Sequence, residues 1–157
     1  MKKKLDSVNR RILAILQTDA ETPLADIAQA VNLSSTPCWR RIQMLRDEGY
    51  ISKQVALVDP ARVNLGVSVF VSIKTNQHNP SWLQALRDAV RDMPEIVEVY
   101  RMSGDVDYLM RVVVPDIRTY DAVYKRLIQA VPLSDVSSSF AMEELKFTTA
   151  LPLDYVD

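Results

Sequence analysis

The chain has 157 residues, 48% apolar and 25% charged, a length and composition that suit one globular domain or two small ones. The formal net charge of -1 excludes a whole-molecule field that would gather a polyanion. A single cysteine excludes an internal disulfide framework, and no apolar run is long enough for a membrane span or follows MKKK as a signal peptide would require. A cytoplasmic location, without membrane attachment, is the expectation. The charge is uneven: residues 1–60 hold nine Lys/Arg against seven Asp/Glu, and residues 61–157 hold ten against thirteen. A mildly basic front therefore precedes a mildly acidic rear.

In chain order, Leu5, Val8, Ile12, Ile15 and Leu16 recur at helical spacing as far as Gln17, with Asp6 placed to cap the start. Thr22-Pro23 stops this helix. Leu24, Ile27, Ala28 and Val31 predict a second, short one, and Asn32-Leu33 a turn. A third helix is predicted from Ser35 to Glu48, ended by Gly49. YISKQVALVD (50–59) reads as two short strands around a polar turn at Ser52–Gln54. Three short helices and a β-ribbon make a winged helix-turn-helix over residues 1–58. Lys2–Lys4 read as a disordered tail that adds only unspecific affinity.

DPARVNLG (59–66) is the expected linker. The period then changes from 3.6 to 2: Val67, Val69, Val71 and Ile73 alternate with Ser68, Phe70, Ser72 and Lys74. A helix follows with Asn79 as cap, Pro80 first, and Leu83, Leu86 and Val90 inward. EIVEVYRM and VDYLMRVVV predict two strands around an SGD turn. Asp116 caps a second helix with the stripe Ile117, Tyr120, Tyr124, Leu127 and Ile128, and DVSSSFAMEEL is the last strand. The order β-α-β-β-α-β over residues 67–157 is the ferredoxin-like arrangement. The fold class is therefore α+β, with a winged helix-turn-helix ahead of a ferredoxin-like domain. No repeats or low-complexity tracts occur.

The third helix holds the densest chemistry. With Cys38 at zero on a wheel of about 100° per residue, Ile42 and Leu45 fall within about 40° of it. Thr36, Arg40 and Gln43 fall opposite, and Trp39 and Arg41 flank the stripe. Hydroxyl, guanidinium and amide groups on one face suit phosphates and base edges in a major groove. Ser34 is the expected cap, which leaves Ser35 and Thr36 at a helix start where free N–H groups and the dipole favour phosphate. Pro37 sits in the first turn, where a missing N–H costs nothing. The candidate nucleic-acid residues are Ser34, Ser35, Thr36, Pro37, Trp39, Arg40, Arg41 and Gln43, and the expected partner is double-stranded DNA. For Trp39, packing against the second helix remains an alternative, as does a merely solvated face for Arg40 and Arg41. Cys38 reads as a small core residue rather than a redox sensor.

In the rear half, Asp105 and Asp107 stand two apart, but no nucleophile, metal-ligand cluster or Gly-rich phosphate loop accompanies them, and His78 is alone. No enzyme, metal or cofactor is expected. The turn Ser103-Gly104-Asp105 offers N–H donors for a carboxylate, a nearby Asp offers an acceptor for an ammonium, and Ser137–Ser139 offer hydroxyls. That chemistry fits a small amino acid. Equally, Gly104 is a turn residue and the serines line a sheet edge.

Several long motifs then carry a resemblance. LDSVNRRILAILQTDA, LADIAQAVNLSSTPCWRRIQMLRDEGYI with its S-x-T-P-C run, VALVDP, MSGDVDYLMRVVVPD and SSSFAMEELKFTTALPL resemble, in the same order, the Lrp/AsnC (feast/famine) family of transcription regulators. TPCWRR, DYLMRVVV, YKRL and SDVSSSFAMEELKFTTALPL are most similar to its cysteine-responsive subgroup. The resemblance implies a rear domain of the RAM (ACT-like) type, homodimers joined through its sheets, and assembly into octamers or similar rings. It also implies an amino-acid effector, with cysteine first in line, bound between dimers. Its ligand positions would fall on Met102, Ser103, Gly104, Asp105, Asp107 and Tyr108, and on Val136, Ser137, Ser138, Ser139 and Phe140. Pro132-Leu133 replaces the Pro-Gly common in the family, with one residue fewer, which puts the placement of Ser137–Ser139 in doubt. A DNA-wrapping architectural protein without effector control is the alternative function.

Overall fold

The computed structural model describes residues 5–155; the Lys2–Lys4 run lies outside them. The chain divides into two compact units, one formed by the residues up to Ala56 together with the segment from Leu145, the other by Leu57–Glu144.

In the first unit, α1 (Ser7–Leu16), α2 (Leu24–Ala30) and α3 (Ser35–Asp47) fall where the apolar periodicity predicts them. Asp6 caps α1 by accepting the Asn9 N–H at 2.7 Å. Asn32 turns the chain between α2 and α3 with φ 57°, and Gly49 ends α3 with φ 78°, both in the left-handed region that disfavours ordinary side chains. The core gathers Leu5, Ile12, Leu13, Ile27, Ala28, Val31, Cys38, Ile42 and Leu45. Ile12 and Leu45 are completely buried, and each contributes about 1.5–3 kcal/mol relative to exposure.

The expected β-ribbon is not formed. No strand occurs between Ile51 and Asp59, and Val55, Leu57 and Val58 are more than half exposed. A ladder needs a neighbour that exchanges backbone hydrogen bonds, and among the described residues none lies beside this stretch. The expected linker holds a 3₁₀ turn, Pro60–Val63, capped by Asp59.

A second difference lies at the other end. The sequence pattern assigned all of 67–157 to the rear domain, yet the segment from Leu145 belongs with the helices. The Gln17 side chain pairs both ways with the backbone of Leu151: Nε2 donates to its carbonyl at 2.8 Å, and its N–H donates to Oε1 at 3.0 Å. Leu153 packs against the helical core.

The second unit is a four-stranded antiparallel sheet in the order β2-β3-β1-β4, formed by β1 (Val67–Lys74), β2 (Ile96–Arg101), β3 (Tyr108–Val114) and β4 (Asp135–Phe140). Helices α4 (Pro80–Arg91) and α5 (Ile117–Ala130) complete the ferredoxin-like βαββαβ order. Val69, Val71 and Ile73 of β1 and Met110, Val112 and Val114 of β3 share one core with Trp82 and Leu86 of α4 and Tyr120, Val123 and Leu127 of α5. Asn79 and Asp116 cap the two helices as their positions predict. The inward stripes are shifted slightly. Trp82 is more deeply buried than Leu83 or Val90, and its indole N–H donates to the Pro132 carbonyl at 2.8 Å. Ile117 and Ile128, expected inward, are exposed; Ile128 stands about 100° past Leu127 on the helix and so turns outward. On the opposite sheet face, Phe70 and Tyr100 are exposed, and Glu98 accepts from both Arg111 (2.8 Å) and the Tyr100 hydroxyl (3.1 Å). Among the described residues no helix is long and apolar enough to cross a membrane.

Leu153→Ala removes a half-buried side chain that leans on the helical core. It should destabilise the first unit by about 1–2 kcal/mol, below the range for fully buried leucines. Hydrogen exchange of the Leu151 amide and of the α1 amides should quicken together; unchanged α1 protection would show that the segment does not support the helices.

Candidate nucleic-acid interface and effector region

On α3, the stripe Cys38, Ile42 and Leu45 is buried as the wheel requires. Its other face is open: Ser34, Ser35, Thr36, Pro37, Trp39 and Arg40 are exposed, and Gln43 is partly so. Trp39 is 51% exposed and is not among the residues gathered in either core. Ser34 occupies the cap position, but its hydroxyl makes no capping hydrogen bond. The first turn of α3 therefore presents backbone N–H groups and three hydroxyls at its positive dipole end.

Arg41 behaves differently from its neighbour. Its Nη1 donates to Asp6 Oδ2 at 2.5 Å and to Asn9 Oδ1 at 2.9 Å. Its side chain is only 32% exposed. The sequence placed it among the candidate DNA contacts; the structure engages it with α1. Asp6, read from sequence only as a cap, and the buried Asn9 are the residues that sequence reasoning missed. Burial pushes the Asp6 carboxyl up, but the Asn9 backbone N–H and Arg41 outweigh it and bring it below the usual 3.8. Cys38 is fully buried. Burial holds its thiol above the ordinary value of 9.0, against a smaller opposing pull from Arg41. A protonated, inaccessible thiol is a poor nucleophile.

A cavity of about 250 Å³ is lined by Leu5, Asp6, Asn9, Arg41, Met44, Glu48 and Tyr50. Two carboxylates beside an already ion-paired guanidinium leave it no described cation to receive a carboxylate ligand, so it does not suit an amino acid. Among the described residues, no group of three or more His, Cys, Asp or Glu is placed to hold a metal ion.

In the rear unit the candidate effector residues divide. Met102, Ser103, Gly104 and Asp105 form an exposed turn between β2 and β3. Gly104 has φ 113°, while a Cβ there would meet nothing within 4 Å; it is the backbone angle, not crowding, that calls for glycine. Asp107 is committed within the chain: its Oδ2 accepts the Thr75 N–H at 2.8 Å and its own N–H donates to the Ile73 carbonyl at 2.9 Å. Tyr108 is buried, its ring 5.3 Å from that of Trp82; the expectation that it faces a ligand is corrected. The serine strand divides too, because successive side chains alternate faces. Val136 packs on the core, the Ser138 hydroxyl shares a short hydrogen bond with the Tyr120 hydroxyl, and the Phe140 ring meets Tyr120 edge-on at 5.3 Å. Ser137 and Ser139 pair with Ser72 and Phe70, whose side chains lie on the sheet's other face. Ser138 is thus withdrawn from the candidate site, while Ser137 and Ser139 turn to the sheet face without helices. The turn and β4 also lie on opposite sides of β1: Ile73 pairs with Tyr108 on one side and Val136 on the other, a separation of about two strand spacings, or ~10 Å.

Comparison with known proteins finds two family matches, the second of which extends seven residues past Glu144 into the segment that packs with the helices. Residues 5–52 match a winged helix-turn-helix DNA-binding family, and residues 68–151 match the Lrp/AsnC ligand binding domain. The chain belongs to the Lrp/AsnC family. It is 49% identical over 96% of its length to the DNA-binding transcriptional activator DecR of Escherichia coli K12, and covers 99% of that protein. A crystal structure of an AsnC family transcriptional regulator from Agrobacterium tumefaciens is 57% identical, with a TM-score of 0.92, covering 96% of this chain and 99% of that one. A transcriptional regulator of Neisseria meningitidis, solved as a complex with L-Met, is 30% identical with a TM-score of 0.91 and coverages of 96% and 97%. The chain is thus a DNA-binding transcriptional regulator of the Lrp/AsnC type with the family's ligand-binding domain.

Two predictions follow from the groups around α3. Cys38→Ala should cost little beyond lost packing, whereas Cys38→Ser should cost about 1–3 kcal/mol by burying an unpaired hydroxyl. Denaturant titration compares them; a peroxide-sensitive DNA affinity that disappears in Cys38→Ala, at unchanged stability, would make the thiol a sensor instead. The second concerns acid. A carboxyl whose folded value lies below 3.8 stabilises the fold fully above that pH and loses the contribution as pH falls through the folded value. Wild type should therefore exceed Asp6→Asn in stability at neutral pH, and the gap should close only below pH 3.8; a pH-independent gap would show that the charge is irrelevant.

Proposed function

We propose that the protein is a cytoplasmic, sequence-specific transcription regulator. In this reading, α3 docks in a DNA major groove, and a small amino acid, cysteine first among the candidates, alters its assembly or DNA binding. The observation that carries the DNA half is the open face of α3, on which Thr36, Arg40 and Gln43 stand opposite the buried stripe while Ser34, Ser35 and Pro37 crowd its N-terminus. Similarity to DecR favours cysteine as the first ligand to try, and the L-Met complex of the Neisseria relative supports an amino acid as the ligand class.

The effector contacts proposed in one subunit are Met102, Ser103, Gly104 and Asp105. Ser137 and Ser139 would come from a neighbouring subunit, because the turn and β4 of one chain are held apart by β1. The exposed Phe70 and Tyr100 on the sheet face without helices favour a homodimer joined there, with dimers assembling into an octamer or similar ring. A site shared between subunits would couple ligand occupancy to assembly, since a ligand shifts the population towards the form it binds better.

Footprinting the full chain on genomic fragments, with each protein amino acid added in turn, tests this. Discrete protected sites should appear, and cysteine or another single amino acid should change them. Arg40→Ala should lower affinity for such a site by roughly tenfold or more, as loss of a base or phosphate contact does. Silence of both Arg40→Ala and Thr36→Ala would sink the docking. Continuous coverage indifferent to every amino acid would replace the reading with that of an architectural DNA-wrapping protein.

A further inference from the structure

The α3 stripe of Cys38, Ile42 and Leu45 is held by apolar contacts. Such contacts fix which face is inward but are non-directional, so they leave the helix some freedom to roll and slide on its neighbours. Base readout needs a finer setting than that. A directional restraint off the stripe would supply it, and α3 has one. Both hydrogens of Arg41 Nη1 are used, one on Asp6 Oδ2 and one on Asn9 Oδ1. The receiving groups are themselves fixed. Asp6 is the cap of α1, and its other oxygen, Oδ1, accepts the Asn9 N–H. Asn9 is 5% exposed, so withdrawal of Arg41 would leave its side-chain oxygen buried without that donor. On the wheel, Arg41 lies about 60° from the buried stripe, against about 140–200° for Thr36, Arg40 and Gln43.

We propose that Arg41 is a positioning residue for DNA recognition rather than a DNA contact: clamped by Asp6 and Asn9, it sets the roll at which α3 presents Thr36, Arg40 and Gln43. The clamp rests on the reading that α3 faces DNA, and it assigns to α1 a part in specificity although no α1 side chain need touch a base.

The test is a double-mutant cycle in the full chain with Arg41→Gln, Asp6→Asn and the pair. Asn still caps a helix, so Asp6→Asn removes the ion pair while keeping the cap. The probes are a duplex selected from random-sequence DNA by the wild-type protein and an unselected duplex of equal length, titrated at several salt concentrations well below each variant's melting temperature. Each single variant should lower the selected-to-unselected affinity ratio by about fivefold to tenfold, and the pair should lower it no further, as expected of residues acting through one another. The salt dependence should stay that of wild type. If Arg41 touches phosphate instead, Arg41→Gln will reduce the salt slope by about one contact and Asp6→Asn will leave binding unchanged or tighter, which overturns the proposal. A fall in melting temperature with an unchanged affinity ratio would make the clamp merely structural and also overturns it. Failure of the wild type to enrich any duplex would instead remove the DNA reading itself.

Discussion

One helix has to satisfy two opposed demands, and the first unit is arranged around that constraint. α3 must bury Cys38, Ile42 and Leu45 to hold the helices together, and it must leave its other face free of protein contacts. A period of 3.6 residues makes both possible in thirteen residues only if every inward position is apolar and compact. Cys38 meets the requirement as a small, polarizable side chain at a completely buried position. The thiol's raised pKa is a by-product of that burial, not a sign of chemistry. The hydroxyls at the N-terminus follow the same logic. Because Ser34 spends no hydrogen bond on the cap, the helix start keeps donors that only an outside acceptor can satisfy.

The second unit obeys a period of two, with an equally strict consequence. A run of consecutive strand residues cannot share a ligand, because alternate side chains leave by opposite faces. Ser138 goes inward to Tyr120 while Ser137 and Ser139 go outward beside Ser72 and Phe70. The same alternation buries Tyr108 against Trp82 and exposes Phe70. Motif positions taken as a block therefore lose about every second residue once the backbone is extended. Those that remain at the turn owe their exposure to Gly104, whose φ few other residues would adopt.

How much was legible in the sequence follows from the range of the forces involved. Helix caps at Asp6, Asn79 and Asp116, the helix stop at Gly49 and the four strands are local matters, set by residues within a few positions of one another, and the spacing located them, although the last strand ends at Phe140 and does not run on to Leu145 as its composition suggested. The β-ribbon was misread because YISKQVALVD has strand composition, whereas a strand also needs a neighbour, which composition cannot supply. The Gln17–Leu151 pairing joins residues 134 positions apart, and the Arg41–Asp6 pair 35 apart; no periodicity encodes either. At the candidate DNA face, the wheel separated inward from outward correctly but left Arg41 on the flank, where only the position of α1 decides between solvent, DNA and an ion pair. At the effector region, the turn was legible from Gly104, and the division of the serines was not drawn from a pattern that already implied it.

The segment after β4 changes how the two units are joined. A chain that ended in the rear domain would connect them once, through the stretch around residues 56–57. Because the residues from Leu145 return to the helical unit, the chain passes between the units a second time around residues 144–145. That second passage begins five residues after the last residue of β4, the strand that holds Ser137 and Ser139. It ends on α1, where Gln17 grips Leu151, and α1 is also the helix whose cap receives Arg41. One stretch of chain thus runs from the strand that bears Ser137 and Ser139 back to the helix whose cap receives Arg41.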